Sequence, residues 1–513
     1  MVRAAASRWP DAPAVRAPDG ALTYAGLDRE ADAVARGLLA LGLRRGDRVA
    51  LWHEKSWRIV AAMQGALRAG MPYVPIDPQT PPERARQMLR DCGAAVVVTG
   101  RERAERLGQD LGPLAFITLE GAPRSDLPGL GWEALRSLAG PVPARAGQPD
   151  DLAYVLYTSG STGRPRGVCL SHRNALAFVR WWARELGLSP ADRVANHAPF
   201  SFDLSVFDLY ASFLAGACVC LLPEAAAIVP GRVVDFLLRE GITIWYSVPS
   251  ALRLLLEHGP LMEMPPAALR WRALLFAGEV FPIKYVRQLR RRWPETRLLN
   301  LYGPTETNVC AFHEATGEIP EDRIEPLPIG RACSGDRIWA VRADGVPVGP
   351  GEDGELWVEG PTVMLGYYGQ SPQAGRAYAT GDLVRVLPGG EFLFLGRRDD
   401  MVKVRGYRIE LAEVEAALLV HPAIRDAAVV AVGEGPAGRL VAFVEAREAP
   451  PPLLALKQHL ATHLPRYMII DDARYLPALP RTATGKVDRL QLRRLWMEEN
   501  DTKTHAVEEV KTR

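Results

Sequence analysis

From Tyr157 to Gly167 the chain reads YTSGSTGRPRG. Small hydroxyl residues and glycines let successive backbone N–H groups converge on an anion with no side chain in the way, and Arg164 and Arg166 add positive charge nearby. This is the make-up of a polyphosphate cradle, and it points to a nucleotide. It is not a Walker loop, because no Gly-Lys-Ser/Thr follows the glycines at the required spacing. A flexible Ser/Gly linker has a similar composition. Here, however, Leu152–Tyr157 leads in as a strand and Val168–Leu170 leads out as another, which favours the cradle.

Five further segments follow in order: Asn300–Thr307 (NLYGPTET), Tyr378–Asp382 (YATGD), Gly396–Asp399 (GRRD), Val404–Glu410 (VRGYRIE) and Thr484–Arg489 (TGKVDR). Together with the cradle they resemble the motifs of the adenylate-forming enzymes, a superfamily that includes amino-acid adenylation domains, acyl-CoA synthetases and luciferases. The resemblance spans nearly the whole chain. It implies that ATP and Mg2+ are used to activate a carboxylate, with Thr158, Ser159, Gly160, Ser161, Thr162 and Gly163 around the β,γ-phosphates. Arg166 stands where the family usually has lysine, a forked donor in place of a compact point charge. Asn300 would pair with the adenine edge and Tyr302 would stack on its face. Asp382 and Arg397 would hold the ribose, Thr305 would donate to the α-phosphate, and Glu306 would be the magnesium ligand. Lys486 would bridge the substrate carboxylate and the α-phosphate as charge develops. Each has a plainer alternative: Tyr302 a strand-end aromatic, Asp382 a turn carboxylate, Arg397 a surface cation, Lys486 a solubilising charge. By the same resemblance Asp399 is a hinge between two half-reactions, and Gly406 lines the path of an incoming pantetheine thiol, where a missing Cβ leaves room.

The segment Pro199–Phe207 opens a helical pattern running to Leu214. In the amino-acid-activating branch an aspartate here grips the α-ammonium of the substrate, and Asp203 matches it; the alternative is a carboxylate that only caps its helix. The family's pocket positions carry over to Asp203, Leu204, Phe207, Ser247, Leu275, Ala277, Leu301, Val309, Cys310 and Lys486. Between the two ends that hold ammonium and carboxylate, this wall is apolar with one hydroxyl. It offers no charge to match an acidic or basic side chain. Leu275, Ala277, Leu301, Val309 and Cys310 are similar to the set in stand-alone prolyl-carrier-protein ligases, so L-proline is the expected substrate. D-alanine or another small apolar amino acid, an acid:CoA ligase, and a catalytically silent nucleotide-binding homologue stay open.

The elements that must position these residues read as α/β. Arg48–Leu51, Ala95–Val98 and Ile242–Trp245 read as strands, and Leu27–Leu41 and Glu83–Leu89 as helices. A largely parallel α/β arrangement follows, with a β-rich subdomain suggested by Gly354–Gly360 and Glu391–Leu395. The expected division is a large N-terminal domain over 1–398 that binds ATP and amino acid, a small mobile α+β lid over 399–497, and a disordered tail over 498–513. At 513 residues the chain is too long for one core.

Hydrophobic content of 48%, charged content of 24% and a net charge of +2 describe an ordinary globular protein with no strong pull toward nucleic acid or anionic membrane. No window reaches the roughly 18 apolar residues of a membrane span, and no signal-peptide pattern opens the chain, so a cytoplasmic protein is expected. Six cysteines without Cys-x-x-Cys spacing read as reduced core thiols. Neither a phosphopantetheine attachment segment nor a condensation segment is present. The thiol acceptor is therefore expected to be the phosphopantetheine of a separate, free-standing acyl or peptidyl carrier protein.

Overall fold

The apolar runs of the sequence become the interior strands of two large sheets. The computed structural model describes residues 1–107, 111, 114–142, 147–160, 165–372, 375–398, 401–433, 437–481 and 487–498. Its contacts divide the chain into two units. The first comprises Met1–Pro78, Ala85–Thr158 and Arg166–Arg398, and the second comprises Gln79–Arg84, Ser159–Pro165 and Asp399–Arg513. The hinge residue expected at Asp399 and all but Glu498 of the expected tail lie outside the described residues.

Among the described residues, the first sheet of the large unit has nine strands, in the spatial order Arg331–Ala332, Ala311–Ala315, Arg297–Tyr302, Ala273–Ala277, Ile244–Ser247, Arg193–Asn196, Cys218–Leu221, Pro13–Ala17 and Gly20–Thr23. Its interior pairs are parallel and only its edges turn back antiparallel. Every residue of Ala273–Ala277 is buried, as expected for a strand covered on both faces. The second sheet runs Gly366–Tyr367, Arg166–Ser171, Leu152–Thr158, Tyr73–Pro75, Arg48–Trp52, Ala94–Thr99, Ala115–Thr118 and Gly129–Gly131. Arg337–Val341, Asp353–Glu359, Tyr378–Val386 and Phe392–Arg397 form the antiparallel β-rich part anticipated from the sequence.

In the second unit the hairpin Met401–Val404/Tyr407–Glu410 precedes the helix Leu411–Leu419. The sheet Ile424–Val432, Arg439–Ala446 and Asp472–Tyr475 follows, with the helix Leu453–His463 and a last helix over 489–498. Val429, Ala442 and Val444 face a cluster with Leu456 and Leu460, while Val430, Val441 and Phe443 face another with Leu492 and Trp496. Each strand thus divides its side chains between two faces.

Most element boundaries shift from the sequence reading by one to three residues, and two of the differences have a clear backbone cause. The strand read as Ile242–Trp245 starts at Ile244, because Gly241 ends the preceding helix Pro230–Glu240 in a left-handed turn (φ 59°) and Ile242 N–H bonds back to Leu237 C=O at 3.1 Å. The helical pattern up to Leu214 is three pieces: Leu204–Val206, a wide π turn at Phe207–Ala211, and Ser212–Ala215. Among the described residues, no helix is long and apolar enough to cross a membrane.

Candidate active site

The antiparallel pair Leu152–Thr158 and Arg166–Ser171 sets Thr158 directly across from Arg166, which closes the neck of the phosphate loop. The Thr158 hydroxyl oxygen is shielded from solvent and has no hydrogen-bond partner among the described residues. A buried orphan hydroxyl costs about 1–3 kcal/mol unless something bonds to it, so a phosphate oxygen fits there. In the second unit the Ser159 hydroxyl donates to Arg408 C=O at 2.9 Å and accepts from Glu410 N–H at 3.1 Å. Gly160 N–H donates to Glu413 Oε2 at 3.3 Å, and Glu413 also pairs with Arg84. Ser161, Thr162, Gly163 and Arg164 lie outside the described residues, as does Lys486.

Along Arg297–Tyr302, strand alternation turns Asn300 and Tyr302 to one face and Leu299 and Leu301 to the other. Asn300 Nδ2 donates to Pro328 C=O at 2.7 Å. The Tyr302 hydroxyl donates to Asp382 Oδ2, and Arg397, directly across the hairpin from Asp382, donates to Oδ1 at 2.6 Å. Burial, and then the charge of Asp382, pushes the Tyr302 phenol well above its ordinary range, so it stays a donor. A carboxylate oxygen has two acceptor directions, which leaves Asp382 capacity for a diol.

Glu306 is fully buried, and its Oε1 accepts from the Tyr367 hydroxyl at 2.8 Å. Among the described residues no group of three potential ligand side chains could by itself cage a metal. Magnesium asks less of a protein, commonly one or two carboxylates plus phosphate oxygens and water, and a single buried Glu306 fits that need. Thr305 is half-buried in the turn just before it.

The amino-acid pocket is built on one face of the nine-stranded sheet. Leu204, Phe207, Leu275, Ala277, Leu301 and Val309 are all buried in one apolar cluster. Asp203 opens the first helical piece, and its side chain makes no capping bond to that helix. Its negative charge instead bears on the buried phenols of Tyr154 and Tyr246. Tyr154 Oη and the Asn308 side-chain amide are buried and close enough to each other to interact, and Asn308 sits in a left-handed turn (φ 49°) beside the pocket residue Val309. Sequence reasoning missed both residues. A phenol and an amide buried this close to a pocket wall suit the polar end of a ligand.

The π turn puts Phe207 against Tyr246, rings edge to face with centroids 5.7 Å apart. Behind it, Asp208 is fully buried and takes a hydrogen bond from Asn196 Nδ2 at 3.0 Å. Lys55 Nζ, also buried, donates to the carbonyls of Asn196 (2.9 Å) and His197 (2.8 Å). Burial lowers the Lys55 ammonium to about 8 and pushes the Asp208 carboxyl up. This polar seam anchors the turn that carries the pocket wall.

Ser247 is not part of that wall. The register pairs Tyr246 with Leu275 and Ser247 with Phe276, so Tyr246 faces the pocket and Ser247 faces the opposite side of the sheet. There the Ser247 hydroxyl accepts from Trp245 Nε1 at 2.8 Å and donates to Val248 C=O at 3.2 Å. Tyr246 is the residue the sequence reading should have taken, and the one-residue slip is what period-2 geometry punishes. Cys310 likewise points away from Val309, into a cluster with Tyr302. Gly406 (φ 82°) follows Arg405 (φ 52°) in a two-residue hairpin turn, which by itself calls for a glycine.

Residues 2–368 match the AMP-binding enzyme family, and residues 413–486 match the AMP-binding enzyme C-terminal domain. The chain belongs to the AMP-binding enzymes. This AMP-binding enzyme is 48% identical over 491 residues to an L-proline–[L-prolyl-carrier protein] ligase of Pseudomonas fluorescens, covering 95% of this chain and 97% of the relative. It is 42% identical over 497 residues to a ligase of the same name from Streptomyces coelicolor, covering 92% and 91%. Among solved structures, the amide bond synthetase McbA of Marinactinospora thermotolerans matches with a TM-score of 0.84 at 25% identity, covering 96% of this chain and 99% of that one.

Proposed function

We propose that this AMP-binding enzyme is an ATP-dependent ligase that adenylates L-proline and then passes the prolyl group to the phosphopantetheine thiol of a separate carrier protein. The observation that carries the substrate class is the placing of one carboxylate, Asp203, next to an apolar pocket of Leu204, Phe207, Tyr246, Leu275, Ala277 and Leu301. An α-ammonium matches the acid in charge and a small apolar ring fills the pocket. The two relatives named as proline ligases, matched over nearly their whole length, support the same choice.

In this reading Asp203 holds the ammonium, and the Tyr154 hydroxyl and Asn308 amide share its N–H groups or the carboxylate. One proline carboxylate oxygen then bonds to the α-phosphorus as the bond to the β-phosphate bridge breaks, and pyrophosphate leaves with the electron pair. Thr158 and Arg166 face the leaving phosphates, Asp382 and Arg397 fix the ribose, and Lys486 steadies the charge that grows at the α-phosphate. Glu306 would hold magnesium, which when bound neutralises charge on the phosphate oxygens. In the second step the carrier thiolate attacks the acyl carbon and AMP departs. Asp399 is assigned the hinge and Gly406 the thiol path.

The test is pyrophosphate exchange across a panel of amino acids, with Asp203→Ala and Lys486→Ala as controls. Proline should give the fastest exchange. Truncating one partner of a buried charge pair costs about 3–5 kcal/mol, so Asp203→Ala should lose at least about 100-fold in kcat/KM. A charged amino acid or an aryl acid at the top of the panel would refute the assignment, and efficient loading of free coenzyme A without a carrier would make the enzyme an acid:CoA ligase.

A further inference from the structure

Tyr367 was not singled out by any motif, yet its one side chain touches both charged parts of the nucleotide end of the site. Its phenol donates to Glu306 Oε1 at 2.8 Å, and the Arg166 guanidinium carbon lies 5.5 Å from its ring centroid. The backbone around it is fastened on two sides. Gly366 and Tyr367 pair as an edge strand with Cys169 and Val168, and Leu365 N–H and Tyr368 N–H bond to the carbonyls of Cys169 (2.9 Å) and Gly167 (2.7 Å). Three residues earlier, Met364 N–H bonds to the carbonyl of Glu306 itself at 2.8 Å. The segment therefore joins the strand leaving the phosphate loop to the turn that bears the buried acid.

We propose that Tyr367 is a positioning residue that sets the orientation of the Glu306 carboxylate for a divalent cation and gives Arg166 a flat surface to rest on. The proposal rests on the reading of Glu306 as the magnesium ligand. A carboxylate can rotate about its last torsion, and a phenol fixed to one oxygen at hydrogen-bond distance holds that rotation. The same ring accounts for the guanidinium that replaces the family's lysine: a planar, weakly hydrated cation lies on an aromatic face more readily than an ammonium does. Tyr367 thus does no chemistry of its own. It holds the acid and the cation in one frame.

The experiment measures binding of a non-hydrolysable ATP analogue by calorimetry, with magnesium and with chelator, for wild type, Tyr367→Phe, Glu306→Gln and the double variant. Tyr367→Phe keeps the ring, and its melting temperature reports whether the fold is intact. Loss of an outer-sphere partner commonly weakens a metal site about 10-fold or more. Tyr367→Phe should therefore lose about that factor of the magnesium-dependent tightening, bind the metal-free analogue within about twofold of wild type, and add nothing on the Glu306→Gln background. Mn2+ binding followed by electron paramagnetic resonance should weaken in parallel. If Glu306→Gln loses the tightening while Tyr367→Phe keeps it, the positioning role is overturned and the metal reading stands. If Glu306→Gln keeps the tightening, the metal reading falls and the proposal falls with it.

Discussion

Replacing Ser247 by alanine should damage stability and spare substrate binding, whereas replacing its neighbour Tyr246 by leucine should do the reverse in emphasis. Ser247 is fully buried, and its oxygen is the partner of the Trp245 indole N–H at 2.8 Å. Alanine leaves that N–H buried and unpaired, which costs about 1–3 kcal/mol. In a unit of this size that lowers the melting temperature by about 1–4 °C. Its side chain is on the far face of the strand, so the KM for proline in pyrophosphate exchange should stay within about twofold. Tyr246 shares a face with Leu275 and meets the Phe207 ring edge on at 5.7 Å. Leucine removes that aromatic contact, worth about 0.5–1.5 kcal/mol, and reshapes a wall where each methylene counts for about 1–3 kcal/mol. The KM for proline should rise by about 10-fold or more, and longer apolar amino acids should gain in relative rate. A tenfold KM increase for Ser247→Ala beside an unchanged Tyr246→Leu would mean that the pocket lies on the other face of the sheet and that the argument from register is wrong.

Two further outcomes follow from burial. Asp336 is pushed by burial from 3.8 to about 7, while Thr362 holds it with a hydroxyl and an N–H. Folded protein therefore binds a proton at Asp336 between about pH 4 and 7 that unfolded protein releases, so the contribution of this group to stability is fullest below about pH 4 and is lost as pH rises to about 7. The melting temperature of wild type minus that of Asp336→Asn should decline across this window, and a difference that climbs with pH would contradict the assignment. All six cysteines are buried and free, and burial raises the thiols of Cys92 and Cys169 to about 11 and about 12. A thiol reagent at pH 8 should modify none of them quickly in native protein and all six after denaturation. Prompt native reaction of one thiol would show that its cover opens.

Much of this was legible in the sequence, because the relevant signals are local. The strands around the phosphate loop, the β-rich part and the helices at Tyr24–Ala40 and Pro82–Asp91 follow from apolar period and turn residues. The pairing of Asp382 with Tyr302 and Arg397 was foreseeable only in outline: the motifs named the residues, and the hairpin register made them neighbours. What was not legible depends on which face a residue occupies. Trp-Tyr-Ser-Val offers no strict alternation of apolar and polar types, since the strand is covered on both sides, so Ser247 and Tyr246 could not be told apart before the partner strand was placed. Asn308, Tyr154 and Tyr367 were missed for a related reason. Their importance lies in what surrounds them, a buried amide, a buried phenol and a phenol on an acid, and none of that is written in residue order.

The wide turn at Phe207–Ala211 also limits how this enzyme can be redesigned. A π turn takes one more residue per coil than its flanks, and helical position advances about 100° with each residue. Deleting any one amino acid there would let the segment relax into ordinary helix and swing the aromatic wall or its polar anchor out of place. Insertions would have the opposite offset. Exchanges of side chain at a constant residue count are therefore the route by which selectivity can be altered without dismantling the scaffold beneath it.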